Sequence, residues 1–128
     1  VKILLDTHIF IWAVTSPQSL SQSATLYLQD VENTFLLSMA SVWEMQIKID
    51  LGKLNLNHPL LQVIHERQIG SGIEILPIEL PHVYELSNLP HHHRDPFDRL
   101  LIAQSRIGEI PILTADAVFS SYDVYVLN

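Results

Sequence analysis

Short apolar runs of strand length alternate with longer stretches of helical pattern from one end of the chain to the other, and that alternation leaves few folds open. Val1-Lys2-Ile3-Leu4-Leu5, Thr34-Phe35-Leu36-Leu37, Ile73-Glu74-Ile75-Leu76, Ile110-Pro111-Ile112-Leu113-Thr114 and the terminal Tyr125-Val126-Leu127 read as strands. Between them, Ile9 to Val14, a stretch opening at Ser19 or Ser21 and running to Val31, Ser38 to Gly52, Pro59 to Gly70, Pro81 to Leu89 and Asp95 to Gly108 read as helices. Strands joined through helices pair in parallel, by right-handed crossovers that cover both faces of a sheet. The expected architecture is a three-layer α/β/α sandwich with a parallel sheet of four to five strands. Residues 1–128 suffice for one domain of this kind, because 48% of them are apolar and can fill a sizeable core.

The clearest helix start is Asp95-Pro96. Asp95 suits the N-cap, and Pro96 suits the first helical position, where its missing N–H removes no bond. Phe97, Leu100, Leu101 and Ile107 are then expected to form the buried face, with Asp98 in the first turn at the positive end of the helix dipole. Ser41-x-x-Glu44 matches a capping box, which gives Glu44 a purely local role to set against a chemical one, and Asp95-x-x-Asp98 resembles one.

Position in the fold decides between those roles. Ligands of open parallel sheets bind beyond the carboxyl ends of the strands. Asp6 follows the first strand, Glu44 lies early in the helix after the second, Asp98 opens the helix before the fourth, and Asp116 follows the fourth. All four are therefore expected at one rim. Two carboxylates about 4 Å apart repel by roughly 4 kcal/mol at an effective dielectric near 20, so a group of four must take up protons or a cation. Oxygen-only ligands favour Mg²⁺ or Mn²⁺. Such an ion promotes attack of water on a phosphodiester. Asp6 and Asp98 are the expected direct ligands, with Glu44 and Asp116 binding directly or through water. Thr7, Ser38 and Thr114, at the same strand ends, are expected to hydrogen-bond the carboxylates or to serve as ordinary caps.

The formal charge of −7 argues against a protein that coats nucleic acid through its overall field, but a bound divalent cation removes negative charge locally. His8, Arg94 and Arg99 are candidates for holding substrate phosphate. His91-His92-His93 reads as a solvated loop, since three adjacent histidines cannot all face one ion from a single helix. Trp12 and Trp43 read as core residues. The absence of cysteine excludes thiolate metal sites and points to a reducing compartment, the cytoplasm by default. No apolar run approaches the ~20 residues of a membrane span.

Four segments, in order, resemble the PIN-domain ribonucleases and, within them, VapC-type toxins: Leu4-Leu5-Asp6-Thr7-His8-Ile9-Phe10-Ile11-Trp12-Ala13, Ser38 to Glu44 running on to Gly52-Lys53-Leu54, Arg94-Asp95-Pro96-Phe97-Asp98-Arg99-Leu100-Leu101-Ile102-Ala103-Gln104, and Leu113-Thr114-Ala115-Asp116. The third is the most distinctive. The resemblance implies the sandwich fold, a catalytic quartet at Asp6, Glu44, Asp98 and Asp116, cleavage of RNA with Mg²⁺ or Mn²⁺, and inhibition by a small cognate antitoxin. A homodimer is also expected, from the apolar helix faces. Two alternatives stand beside this reading. One is a non-catalytic interaction module on the same fold. The other is a receiver-type phospho-acceptor domain, which wants an acidic pair after the first strand where Asp6 is followed by Thr7, and a lysine near the last strand where none follows Lys53.

Overall fold

The computed structural model describes residues 1–128. Along it run β1 (Lys2–Leu5), α1 (Thr7–Thr15), α2 (Gln22–Gln29), β2 (Thr34–Ser38), α3 (Met39–Asp50), α4 (Leu60–Ser71), β3 (Glu74–Leu76), α5 (Leu80–Glu85), α6 (Pro96–Gly108), β4 (Ile112–Leu113) and β5 (Val126–Leu127). Short 3-10 turns occupy Pro17–Ser19, Leu86–Asn88 and Ala117–Ser121. The five strands form one parallel sheet in the order β3-β2-β1-β4-β5.

Adjacent residues of the central strands enter different cores, as the two-residue period of a strand requires. Ile3, Leu5, Phe35, Leu37 and Leu113 join one apolar cluster with Ile9, Phe10, Met45 and the buried residues of α4, while Leu4, Leu36 and Ile112 join another with Leu101, Ile102, Ala103 and Phe119. A sheet buried on both sides explains why its strands read as unbroken apolar runs. The result is the expected α/β/α sandwich.

Local signals place most helix ends. Ser21 Oγ accepts from Ala24 N–H, and Asp95 Oδ1 accepts from the N–H groups of Phe97 and Asp98. The local capping-box role weighed for Glu44 falls away, and two expectations need correction. Ser38 rather than Ser41 caps α3, its Oγ accepting from Ala40 N–H, while Ser41 Oγ accepts the hydroxyl of Thr7 at 2.8 Å. Glu44 therefore belongs to no capping box. The helix from Ser21 stops at Gln29, and Val31 is exposed. On α6 the buried run is Leu101 to Ser105, whereas Ile107 faces solvent, because the helix packs against the sheet and α5 on the side that Leu101 and Ile102 present. Its last turn closes at Glu109, held at φ 51° and ψ 45° in the left-handed region.

Candidate metal centre

β1 and β4 lie side by side at the middle of the sheet, and their pairing brings the two ends of the chain to one point. Asp6 N–H donates to Leu113 C=O at 2.9 Å, and Thr114 Oγ1 donates to Asp6 Oδ2 at 2.8 Å. The same hydroxyl accepts from Asp116 N–H at 3.0 Å. Thr114 thus ties together two of the acids anticipated at this rim.

Asp6 is buried at the head of α1, with Oδ1 left without any partner. Glu44, on α3, is buried too. Its Oε2 meets Lys48 Nζ at 3.1 Å, and its Oε1 has no partner. Lys48 stands one turn after Glu44, and this i,i+4 Glu–Lys spacing is a signal of the ion pair readable in the sequence. Asp98, in the first turn of α6, and Asp116, heading the 3-10 turn after β4, come in from the other side, where both of their Oδ2 atoms meet His93 Nε2, at 2.9 and 3.1 Å. One ligand atom from each of His93, Asp98 and Asp116 fits within 4.8 Å.

The electrostatics record this crowding. Burial, then the charges of Asp6, Asp95, Glu44 and Asp116, push the Asp98 carboxyl up to about 8. Burial also raises Asp6, against the opposing effects of the Thr114 hydroxyl, the His8 charge and the Thr7 N–H, and Glu44 adds to the rise. Four acids distant in sequence therefore sense one another, and at neutral pH they hold excess negative charge that a proton or a cation must balance.

The remaining candidates divide. Of the three hydroxyls, Thr114 alone reaches a carboxylate. Ser38 caps its helix, and Thr7 donates to Ser41. His8 is exposed, its ring 5.9 Å from that of Trp12. The Arg99 guanidinium is occupied by the carbonyls of Leu86, Leu89 and Pro90 and by the Tyr122 hydroxyl, so it fastens the segment before α6 and is not left free for phosphate. Arg94 is exposed and lines, with His91 and His93, an open cavity of about 390 Å³ beside the acids. His93 is no solvated loop residue: besides the two carboxylates it engages Tyr122 and Asp95. Trp43, expected in the core, is 57% exposed and meets Phe97 edge-on at 5.1 Å.

A family model for the PIN domain matches residues 3–125. The chain belongs to the PIN domain family. PIN domains are in general nucleases, and the acidic group of this one is of the kind such chemistry uses. No curated protein sequence matches this PIN domain. Among solved structures it is similar to VapBC2 from Rickettsia felis, bound to a DNA fragment from their promoter, with a TM-score of 0.77 and 15% identity over 100% of this chain and 98% of that one. It is also similar to FitAcB from Neisseria gonorrhoeae, with a TM-score of 0.68 and 23% identity over 98% and 96% of the chains. A toxin–antitoxin complex from Klebsiella pneumoniae gives 0.62 and 16% over 98% and 96%. At these identities the likeness is one of fold. No helix of this PIN domain is long and apolar enough to cross a membrane.

Proposed function

We propose that this PIN domain is an Mg²⁺- or Mn²⁺-dependent endoribonuclease, with Asp6, Glu44, Asp98 and Asp116 as its catalytic acids, and that it acts as the toxin of a toxin–antitoxin pair. The observation that carries the reading is the pair of buried oxygens without partners, Asp6 Oδ1 and Glu44 Oε1, inside a cluster whose charges already oppose ionisation. Buried acceptors are ordinarily satisfied, and a cation satisfies them at neutral pH without requiring the acids to keep their protons. The donor set is carboxylate oxygen, which fits a hard divalent ion. When bound, the ion polarises the phosphodiester and lowers the pKa of a water.

The protein's own part is to hold the acids in place. β1 and the Thr114 hydroxyl fix Asp6, the Lys48 pair fixes Glu44, and His93 joins Asp98 to Asp116. Arg94 and His91, along the neighbouring cavity, place positive or polar groups where an RNA strand can lie across the rim. The toxin role and a small protein antitoxin as partner take their support from the likeness to toxin–antitoxin complexes.

The test is incubation with structured RNA and Mg²⁺ or Mn²⁺, with and without chelator, beside Asp6→Ala and Asp98→Ala. Cleavage is expected from the wild type alone, only with the ion, leaving 5′-phosphate and 3′-hydroxyl ends. Ends carrying 2′,3′-cyclic phosphate would mean that the ribose hydroxyl had attacked. A wild type inert under every condition would favour a non-catalytic interaction module.

A further inference from the structure

His93 touches two of the proposed ligands, and the surroundings of its ring decide what it can do there. Nδ1 accepts the backbone N–H of Asp95 at 3.2 Å. Its lone pair is thereby used, and in the neutral ring the proton resides on Nε2. That proton points into the space between Asp98 Oδ2 and Asp116 Oδ2. Histidines that bind metals show the reverse arrangement, giving a lone pair to the ion and donating the other ring N–H to an acceptor. His93 cannot adopt it in place, since a proton moved to Nδ1 would confront the Asp95 N–H. The residue is also anchored: its backbone N–H donates to the Tyr122 hydroxyl at 2.7 Å, and its ring stands edge-on to Phe119 with centroids 5.9 Å apart.

We propose that His93 is a positioning residue which donates Nε2–H to both Asp98 and Asp116, fixes the span between them, and does not itself ligate the cation. The identity of the bound group rests on the nuclease reading. The donor role does not. Asp116 is the acid that needs such a partner most, because it stands on a short turn with its side chain 37% exposed, and its Oδ1 already accepts from Val118 N–H at 2.9 Å. His93 restrains the remaining oxygen and brings the end of β4 into register with the start of α6.

The decisive measurements use the full chain. In metal-free protein labelled with ¹⁵N-histidine, a long-range ¹⁵N–¹H correlation is expected to find His93 protonated at Nε2 and bare at Nδ1; a proton on Nδ1 overturns the proposal. In Mn²⁺ titrations followed by calorimetry, His93→Ala is expected to weaken binding about 10–100-fold, while His93→Gln, whose amide N–H can replace the donor, stays within severalfold of the wild type. Equal affinity in all three reduces His93 to a structural residue, and tighter binding by His93→Ala makes it an obstruction; either result overturns the positioning role. Pulsed electron paramagnetic resonance of the Mn²⁺-loaded wild type is expected to show no directly coordinated histidine nitrogen, and a strong ¹⁵N coupling would make His93 a ligand. Should His93→Ala fail to fold, the two wild-type measurements still decide. Should the wild type take up no Mn²⁺, the nuclease reading falls, and the ring tautomer still judges His93.

Discussion

Asp6 and Glu44 form one half of the acidic site and Asp98 and Asp116 the other, and the two halves are organised by different physics. The first pair sits just past the end of β1 and on α3, buried, each acid with one oxygen partnered and one bare. The second pair is partly open to solvent and is gathered by a single imidazole. The packed core determines where the inner acids lie, so their unmet valence is a standing cost. The outer acids depend on a hydrogen-bond network that can be altered without disturbing the sheet. A site built in this way has a rigid floor and an adjustable edge.

The sharpest challenge to this division is a pair of isosteric substitutions. Asp6→Asn is expected to lower RNA cleavage by more than about a hundredfold, beyond the ~10–100-fold typical of groups that only support ligands, and to leave the metal-free unfolding temperature unchanged or raised, because a poorly solvated charge is removed. Asp116→Asn is expected to cost about tenfold, as its contact lies at the open edge. Equal losses would abolish the distinction.

Acidity offers a second test. In the fold Asp98 keeps its proton up to about pH 8, whereas an unstructured aspartate starts from 3.8. Between those values the folded chain binds the extra proton, so metal-free stability is fully present at the acidic end and declines as pH rises toward 8. Cation uptake expels that proton, so Mn²⁺ affinity is expected to grow about tenfold per pH unit until Asp98 is ionised, then to level off. Calorimetry at several pH values reads the slope, and a flat profile would mean that the acids are less crowded than their positions indicate.

Arg99→Ala probes the scaffold of the outer half. Loss of the guanidinium leaves the carbonyls of Leu86, Leu89 and Pro90 without their donor, and denaturant unfolding is expected to report about 2 kcal/mol of destabilisation. Mn²⁺ affinity should fall with it, because the segment carrying His93 loosens. Arg99→Lys should rescue little, for an ammonium cannot reproduce the fork. The smallest effect is expected outside both halves: Glu109→Gly removes a side chain from a left-handed position and should raise stability by about 1 kcal/mol with cation binding untouched.

What the sequence disclosed follows the same division. Asp95 and Ser21 were readable as caps because the donors they satisfy lie two or three residues away, and the strands were readable because burial on both faces leaves apolar runs. The rim position of the four acids followed from strand and helix order. Tertiary preference stayed hidden. Ser38 and Ser41 are equivalent as local caps, and only the arrival of Thr7 separates them. His93 gains its meaning from Asp116, 23 residues away, so a run of three histidines gave no reason to single it out. Trp43 is apolar enough for a core, yet it stands beside Phe97 at the surface because α3 turns Glu44 and Met45 inward instead.

The hydrogen bond from Thr114 to Asp6 spans 108 residues. During synthesis, Asp6 is made long before Thr114 and waits for its companion strand. A chain halted before residue 112 holds Asp6, Glu44 and Asp98 but has no β4 to complete their frame. Assembly of the acidic cluster is thus deferred until β4 has been made, a delay written into the order of the strands.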